Sequence, residues 1–201
     1  MMESRVRRWW RAAIAAVVVV VVIAVVSGCP TGLGPGNGTG PNTDTVIYEV
    51  GGPGPAGGIV FYDKGAYSDG WRYLEAWTAD EEGTHRWKVN EFSTTGTSTS
   101  VGSGYANTYT HTAESVSAHP AAEVVRSATH GGHNDWFLPS KDELYQMYLQ
   151  RESIGDFVVS YYWSSSQSAT KNAWAQGFSI GNSSGANKYD NQFRVRAVRA
   201  F

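Results

Sequence analysis

Cys29 is the only cysteine of the chain, and it ends an N-terminal segment with a marked charge pattern. Met1–Arg11 carries four arginines against one acid, and Ala12–Val26 then runs without a charge. A basic start and an apolar run shorter than the about 20 residues of a membrane-spanning helix are typical of an export signal. Because there is no second cysteine, no disulfide can form within the chain. The exported part must therefore be stable through its core alone, in a compartment where many proteins carry disulfides.

The end of this segment, Val26-Ser27-Gly28-Cys29, has the order of a lipobox: an aliphatic residue, two small residues and a cysteine. The thiol is the nucleophile that takes up a diacylglycerol, and the small residues leave the backbone accessible to a signal peptidase. We predict that residues 1–28 are a signal peptide and that a lipid on Cys29 holds the protein on a membrane. The alternative is a short, uncleaved transmembrane anchor. In both cases the rest of the chain lies outside the inner membrane.

Residues 29–45 are mostly Gly, Pro, Asn and Thr, a composition that cannot bury apolar surface and predicts a flexible tether. Residues 46–201 have the length of one domain with a core of its own. The net charge of -2 includes the arginines of the signal, so the exported part is more acidic, which argues against nucleic acid as a partner. Pro30 stands where some bacteria use aspartate for inner-membrane retention. We therefore expect a cell-envelope protein, at the outer membrane or cell surface.

β-branched and aromatic runs predict three strands in the first half of the domain. They are Val46–Val50, Gly58–Asp63 and Trp71–Ala76. From Ala79 to Tyr109 the sequence is rich in Gly, Ser, Thr and Asn, which predicts loops. One helix is expected in the second half of Thr112–Thr129. A second helix is expected after Ser140, because Ser140 and Glu143 have the spacing of a capping box.

The C-terminal part predicts further strands. Trp174, Gln176, Phe178 and Ile180 alternate with small or polar residues, so we expect them on one face, with Trp174 and Phe178 in the core. Gln176 and Ile180 are then either buried near the strand ends or part of the binding surface, and the sequence leaves both alternatives open. Trp136 is a second predicted core tryptophan. The segment 181–187 has the composition of a turn, and Phe193–Arg199 is read as a last strand. The predicted fold class is α+β, with short antiparallel strands and two helices.

Six motifs in fixed order extend across the domain. They are Gly57-Gly58-Ile59-Val60-Phe61-Tyr62, Gly70-Trp71-Arg72-Tyr73-Leu74-Glu75, Asp135-Trp136-Phe137-Leu138-Pro139-Ser140, Tyr162-Trp163-Ser164-Ser165, Ala173-Trp174 and Val195-Arg196. The set resembles the bacterial C-type-lectin-like domain found at the C-terminus of collagen-like adhesins and in lipoproteins, a fold shared with formylglycine-generating enzymes. The resemblance implies that the N- and C-terminal strands pair, that the chain ends lie together, and that the module binds a protein or a glycan.

The C-terminal stretch is also similar to the variable region of proteins on this fold that diversity-generating retroelements diversify. In such proteins asparagine codons mutate while the framework stays fixed. Lys171, Lys188 and Gln192 depart from that pattern, because adenine changes in an asparagine codon cannot produce them. Small, polar and tyrosine side chains suit a recognition surface, although a plain hairpin turn favours Asn, Gly and Ser as well. The predicted ligand-binding residues are Asn172, Asn182, Ser183, Ser184, Asn187, Tyr189, Asp190 and Asn191.

Enzymatic chemistry is not expected. The oxidase chemistry of the formylglycine-generating enzymes needs reactive cysteines, and with Cys29 lipidated none remains. The histidines His111, His119, His130 and His133 are read as solvated loop residues rather than metal ligands, because no HExxH pattern accompanies them. We expect no metal and no cofactor, although Asn187, Asp190 and Asn191 leave calcium open.

Three functions are therefore compared. The favoured one is a lipid-anchored, non-enzymatic binding module. The second is a structural envelope lipoprotein without an external ligand. A hydrolase that uses the loop histidines comes last.

Overall fold

The computed structural model describes residues 46–89 and 96–201, and the predicted signal peptide, the tether and Cys29 lie outside these ranges. The described strands are β1 (Ile59–Ser68), β2 (Trp71–Ala76), β3 (His85–Arg86), β4 (Tyr161–Ala169), β5 (Asn172–Gly177), β6 (Ser183–Asn187), β7 (Gln192–Phe193) and β8 (Val198–Ala200). The described helices are α1 (Gly104–Glu114), α2 (Pro120–Ser127), α3 (Lys141–Leu149) and α4 (Arg151–Ile154), with a 3₁₀ turn at Val116–Ala118. In this part of the chain no helix is long and apolar enough to cross a membrane.

The strands form three small sheets, with the orders β1-β2-β8, β3-β7 and β4-β5-β6, and every strand pair in them is antiparallel. The helices lie between β3 and β4 in the chain. The predicted α+β class is therefore confirmed. Two of the helices were predicted, α2 and α3. The structure adds α1 and the single turn of α4.

The capping box at the start of α3 is present in full. The Ser140 hydroxyl accepts from the Glu143 N–H at 3.3 Å, and the Glu143 carboxylate accepts from the Ser140 N–H at 2.7 Å. The same carboxylate accepts from the N–H groups of Gly102 and Gly104 before and at the start of α1. Glu143 thus joins the first turns of two helices. Because it is fully buried, its pKa is raised to about 7.

Several expected strand limits are wrong. Val46–Val50 is not a strand; Tyr48 instead packs edge-on against Phe201, with ring centroids 5.0 Å apart. The chain ends of the domain do lie together, but the last strand β8 pairs with β2 rather than with the first strand. The predicted strand Phe193–Arg199 is divided between β7 and β8. The region 79–109, expected to be loops, contains β3, the start of α1 and the buried Trp87.

Two clusters form the core. One gathers the buried tryptophans Trp87, Trp136 and Trp163, and the other gathers Phe61, Leu74, Phe137, Leu144, Met147, Tyr162, Phe178 and Val198. Each buried indole N–H finds a backbone carbonyl: that of Trp87 donates to Ser164, and that of Trp163 donates to His85, both at 2.7 Å. Such partners remove the cost of burying the polar end of the ring.

A buried ion pair lies between the core and the loops. The Arg196 guanidinium, fully buried, meets the Asp80 carboxylate at 2.7 Å and donates to the carbonyl groups of Trp77 and Asp156. The Tyr162 hydroxyl donates to the other Asp80 oxygen at 2.8 Å. Burial, together with the charge of Asp80, raises the pKa of Tyr162. One charged pair therefore connects β4 with the segments that follow β2 and α4.

The expected burial of Trp174 in the core is wrong. The buried face carries Ala173 and Ala175, which pack in the tryptophan cluster, while Trp174 is only half-buried and lies under the Lys141 ammonium at 5.1 Å. Ile180 lies beyond the strand and is 77% exposed. The predictions for Trp136 and Phe178 as core residues are confirmed. Ala173 and Ala175 fit against the large Trp163 ring, and Trp174 lies on the other face of β5.

These placements predict different costs for two tryptophan substitutions. Trp136→Ala should lower the free energy of unfolding by about 3–5 kcal/mol, because it leaves a cavity in the core. Trp174→Ala should cost clearly less, because this ring is already partly in water. Urea unfolding followed by fluorescence measures both. Equal losses for the two variants would contradict the assigned register of β5.

Candidate functional site

The structure brings the eight predicted ligand-binding residues into one strip along β6 and the turn after it. Ser183, Tyr189 and Asp190 are exposed, and the others are half-buried. Asn172, from the start of β5, lies opposite Asn187 in the ladder. The strip is thus continuous.

The expected turn over residues 181–187 is wrong, because most of it is strand β6. β6 pairs with β5 in regular register from Gln176↔Ser183 to Asn172↔Asn187. Serine, glycine, alanine and asparagine are poor strand formers, so the pairing with β5 overrides their local preference. As a result Ser184, expected to be exposed, is half-buried opposite Ala175.

The turn that does present side chains is residues 188–191, and Asn187 holds it. The Asn187 side-chain oxygen accepts from the N–H groups of Tyr189 at 2.8 Å and Asp190 at 3.0 Å. The Asn187 carbonyl accepts from the Asn191 side chain at 3.1 Å. An asparagine that bonds to the backbone two residues on is a recurrent turn device. Asn187 and Asn191 therefore shape the turn, whereas Tyr189 and Asp190 are presented by it.

Asn182 is also engaged within the protein. Its amide donates to the Tyr161 hydroxyl at 2.9 Å, and its backbone carbonyl accepts from Gly177 at 2.8 Å. Ser183 donates to the side-chain oxygen of Gln176. The polar groups at the start of β6 thus point partly toward β4 and β5.

Arg86, in β3, is a neighbour of the strip that sequence reasoning missed. Its guanidinium lies over the Tyr189 ring at 4.8 Å, a cation–π contact that orients the ring. Trp87 and Lys88 follow it and donate their N–H groups to the Lys188 carbonyl, both at 3.1 Å. No local signal in a region read as loop points to these contacts, because they depend on pairing between β3 and β7.

A buried polar cluster supports the turn from below. The Lys188 ammonium is buried, donates to the Thr170 carbonyl at 3.0 Å and lies 4.7 Å from the centre of the Trp87 ring. Burial and the nearby Lys88 lower the pKa of Lys188 to about 8. Lys88, also buried, pairs with Glu114 at 2.8 Å.

His111 and His119 belong to this cluster, so their reading as solvated loop histidines is wrong. Both are buried, and their rings stack with centroids 4.8 Å apart. His111 Nε2–H donates to the Ser165 carbonyl at 2.8 Å, and His119 Nε2–H donates to Glu114 at 3.1 Å. The Nδ1 atom of each ring has no partner among the described residues. His111 stands between two threonines and His119 stands just before Pro120, so no apolar periodicity indicates their burial.

The electrostatics of the cluster favour neutral imidazoles. Burial lowers the pKa of His111 to about 3, and the charge of His119 and of the two lysines acts in the same direction. Burial also lowers the pKa of His119, against the opposing effect of Glu114. With Lys88 and Lys188 already close, a further positive charge has no place there.

The loop histidines lie elsewhere. His130 stacks on Trp77 with ring centroids 4.7 Å apart, and its Nε2 bonds to Glu81 at 2.7 Å. The carbonyl groups of His130 and His133 accept from the Trp136 indole. This loop therefore packs over the core. Among residues 46–89 and 96–201, no group of three or more His, Cys, Asp or Glu side chains is placed to hold a metal ion.

A separate cleft of about 340 Å³ lies beside β2 and α1. Its walls include Trp71, Tyr105 and Phe137, with Asp69 at one side. Aromatic walls are common in ligand pockets, which also need a few convergent polar groups. Since the other residues of the lining are Gly70, Leu74, Gly102, Ala106 and Ala200, the strip at β6 offers the richer polar surface.

The three small sheets, the helices inserted between β3 and β4 and the adjacent chain ends define a C-type-lectin-like domain. Residues 76–199 match the family described as the Lcl C-terminal domain. Because this match covers more than half of the 201 residues, the chain belongs to that family. The resemblance to a C-type-lectin-like domain is therefore confirmed. No curated protein matches the chain.

The buried histidines predict that the domain loses stability in acid. In the unfolded chain His111 takes up a proton near pH 6.5, whereas in the folded protein it does so only near pH 3. The contribution of neutral His111 to the free energy of unfolding is thus fully present above pH 6.5. It falls by about 1.4 kcal/mol per pH unit as the pH drops toward 3. Urea midpoints measured between pH 7.5 and pH 4 test this prediction.

A control is needed because Glu143 acts in the opposite direction. Its pKa is raised from 4.5 to about 7, so its protonation in the folded state offsets part of the loss between these values. Wild type and His111→Gln both contain Glu143, so its contribution cancels in the difference between their free energies of unfolding. His133→Gln serves as a control histidine substitution outside the buried cluster. If the pH profile of His111→Gln runs parallel to that of wild type, His111 is not the acid-sensitive group.

Proposed function

We propose that the protein is a lipid-anchored binding protein of the cell envelope whose C-type-lectin-like module recognises a protein or glycan through β6 and the turn after it. The observation that carries the proposal is the support of an exposed turn by a buried frame. Tyr189 and Asp190 are presented to solvent, while Asn187 and Lys188 fix the backbone just before them. A rigid frame under exposed polar and tyrosine side chains lowers the ordering cost of binding.

The lipid anchor is the second part of the proposal. The lipobox Val26-Ser27-Gly28-Cys29 supports lipid attachment to a membrane, and Pro30 in place of a retention aspartate favours the outer membrane or cell surface. The membrane is then a partner through Cys29 alone. The proposed function requires no catalytic residue and no cofactor.

Diversification of the strip by a retroelement is the third part. The alternation of fixed and variable types fits the structure, since Trp163 and Ala173 are buried while Tyr189 and Asp190 are exposed. Lys188 departs from the variable pattern, and it is also buried beneath the turn. A near-copy of the codons for residues 161–201 with adenine changes, beside a reverse transcriptase gene, would establish this part.

The double change Tyr189→Ala with Asp190→Ala should abolish ligand binding and keep the fold. Only exposed contacts are lost, so the free energy of unfolding should change by about 1 kcal/mol or less. Binding is measured on an array of surface proteins and glycans, and stability by thermal melting. The matched control is Tyr109→Ala with Glu152→Ala, which also removes one exposed tyrosine and one exposed acid.

A ligand that binds the double variant as tightly as wild type would contradict the site. If the array yields no ligand for wild type, the structural envelope lipoprotein becomes the better reading. Loss of binding in the control pair would place recognition on α1 and α4 instead.

Cys29→Ser should prevent lipidation, because an oxygen replaces the thiol that accepts the lipid. The precursor should keep residues 1–28 and lose the mass of the acyl groups. Mass spectrometry of wild type and variant measures both. A wild-type mass that keeps residues 1–28 and lacks acyl groups would show that the apolar segment, rather than a lipid, holds the protein on the membrane.

A further inference from the structure

The outer edge of β6 exposes backbone groups. Gly177 N–H donates to Asn182 C=O at 2.8 Å, and Lys188 N–H donates to Lys171 C=O at 3.0 Å. Regular antiparallel pairing connects these two points. In such a ladder alternate residues face the partner strand. The even-numbered residues from 182 to 188 therefore bond to β5.

The odd-numbered residues of β6 face the other way. The N–H and C=O groups of Ser183 and Gly185 point away from β5, and no described residue forms a hydrogen bond with them. Both residues are exposed. Asn187 is the third residue in this row, but its carbonyl is occupied by the turn, since it accepts from Asn191. The unpaired part of the edge is thus two residues long. It offers four hydrogen-bonding groups, the N–H and C=O of Ser183 and Gly185.

Two other sheet edges in the described residues are covered. The outer edge of β4 is met by Arg194, whose carbonyl accepts from Trp163 N–H at 3.0 Å, and by Pro139, whose carbonyl accepts from Ser165 N–H at 2.7 Å. The outer edge of β8 is met by Phe137, which exchanges two hydrogen bonds with Val198. The open edge of β6 therefore contrasts with the outer edges of β4 and β8.

β6 also lacks the devices that block strand addition. Exposed edges are usually protected by lysine, proline or a bulge, and Ser183–Asn187 contains none of these in a regular register. Its side chains are small, so another backbone can approach closely. Ile180 before the strand is 77% exposed, and the ring of Tyr189 after it is also exposed. Two apolar groups thus flank the open edge.

We propose that β6 binds an extended segment of a protein ligand by adding it as a further strand to the sheet β4-β5-β6. Ser183 and Gly185 exchange backbone hydrogen bonds with the segment, and Ile180 and Tyr189 contact its side chains. Main-chain bonds supply affinity in this mode, and the flanking side chains supply selectivity. The inference rests on the proposed function and deepens it, because it makes the ligand a peptide segment rather than a glycan.

The test compares Ser183→Pro with Ser183→Ala. Both remove the hydroxyl that bonds to Gln176, but only proline removes the outward N–H. The N–H of Ser183 is not used by β5, and proline is tolerated at the first residue of an edge strand. Gly185 is a poorer position, because a Cβ there would lie 2.8 Å from Ser168 Oγ. Urea unfolding checks that both variants keep the fold.

The probe is a phage-displayed library of linear random peptides selected on the full-length protein. Selected peptides should bind Ser183→Pro about tenfold or more weakly than they bind Ser183→Ala, because a backbone bond is lost and the proline ring obstructs the edge. Equal binding to Ser183→Pro, or no selected peptide at all, would overturn strand addition.

A second measurement stands even if Ser183→Pro fails to fold. Methylation of alternate backbone nitrogens in a selected peptide should weaken its binding to wild type, while methylation of the intervening nitrogens should not, because alternate N–H groups face β6. Tolerance at every nitrogen overturns the inference. A glycan that binds wild type, ignores Ser183→Pro and is lost on changing Tyr189 and Asp190 also overturns it, and leaves the proposed function intact.

Discussion

The buried pair of Arg196 and Asp80 is the interaction on which the rest of the domain depends. Arg196 Nη2 lies 2.7 Å from a carboxylate oxygen of Asp80, and the guanidinium also donates to the backbone carbonyl groups of Trp77 and Asp156. A buried charge left without its partner is strongly destabilising. The pair therefore holds the segments after β2 and α4 to the start of β4, and β4 is the strand on which β5 and β6 are built. Because the domain has no disulfide, the Arg196–Asp80 pair and the tryptophan cluster together hold its long loops in place.

The candidate surface is organised outward from the same frame. β4 supplies Trp163 and Ser164 to the core and Ser165 to His111, and β5 covers these residues with alanines. Lys188 then joins the turn to Trp87 through its backbone and its buried ammonium. Exposed positions on this surface can change without reaching the core, since their neighbours in sequence carry the structural contacts. Such a division is what a module with a variable binding surface requires.

The sequence predicts those features that depend on local signals. The start of α3 is predicted well, because Ser140 and Glu143 satisfy each other within one turn. β6 is missed because its composition favours a turn and only pairing with β5 makes it a strand. The placement of Trp174 is missed because alternation identifies two faces of the strand but not which of them lies in the core. Here α3 covers the second face of β5, so both faces are partly shielded from water. α1 is missed because its buried side chains are polar: Asn107, Thr108 and His111 each form a hydrogen bond with a distant segment.

The packing of Tyr48 on Phe201 and Tyr73 bears on how the domain transmits mechanical force. If a bound ligand pulls on the module while the N-terminal side is held, tension enters the fold at Tyr48. It passes first into aromatic contacts on β2, the central strand of its sheet, and on the residue after β8. Three rings at this point resist peeling before any ladder is stretched. The segment 46–58 therefore takes up the load before the sheet β4-β5-β6, on which the proposed binding surface lies.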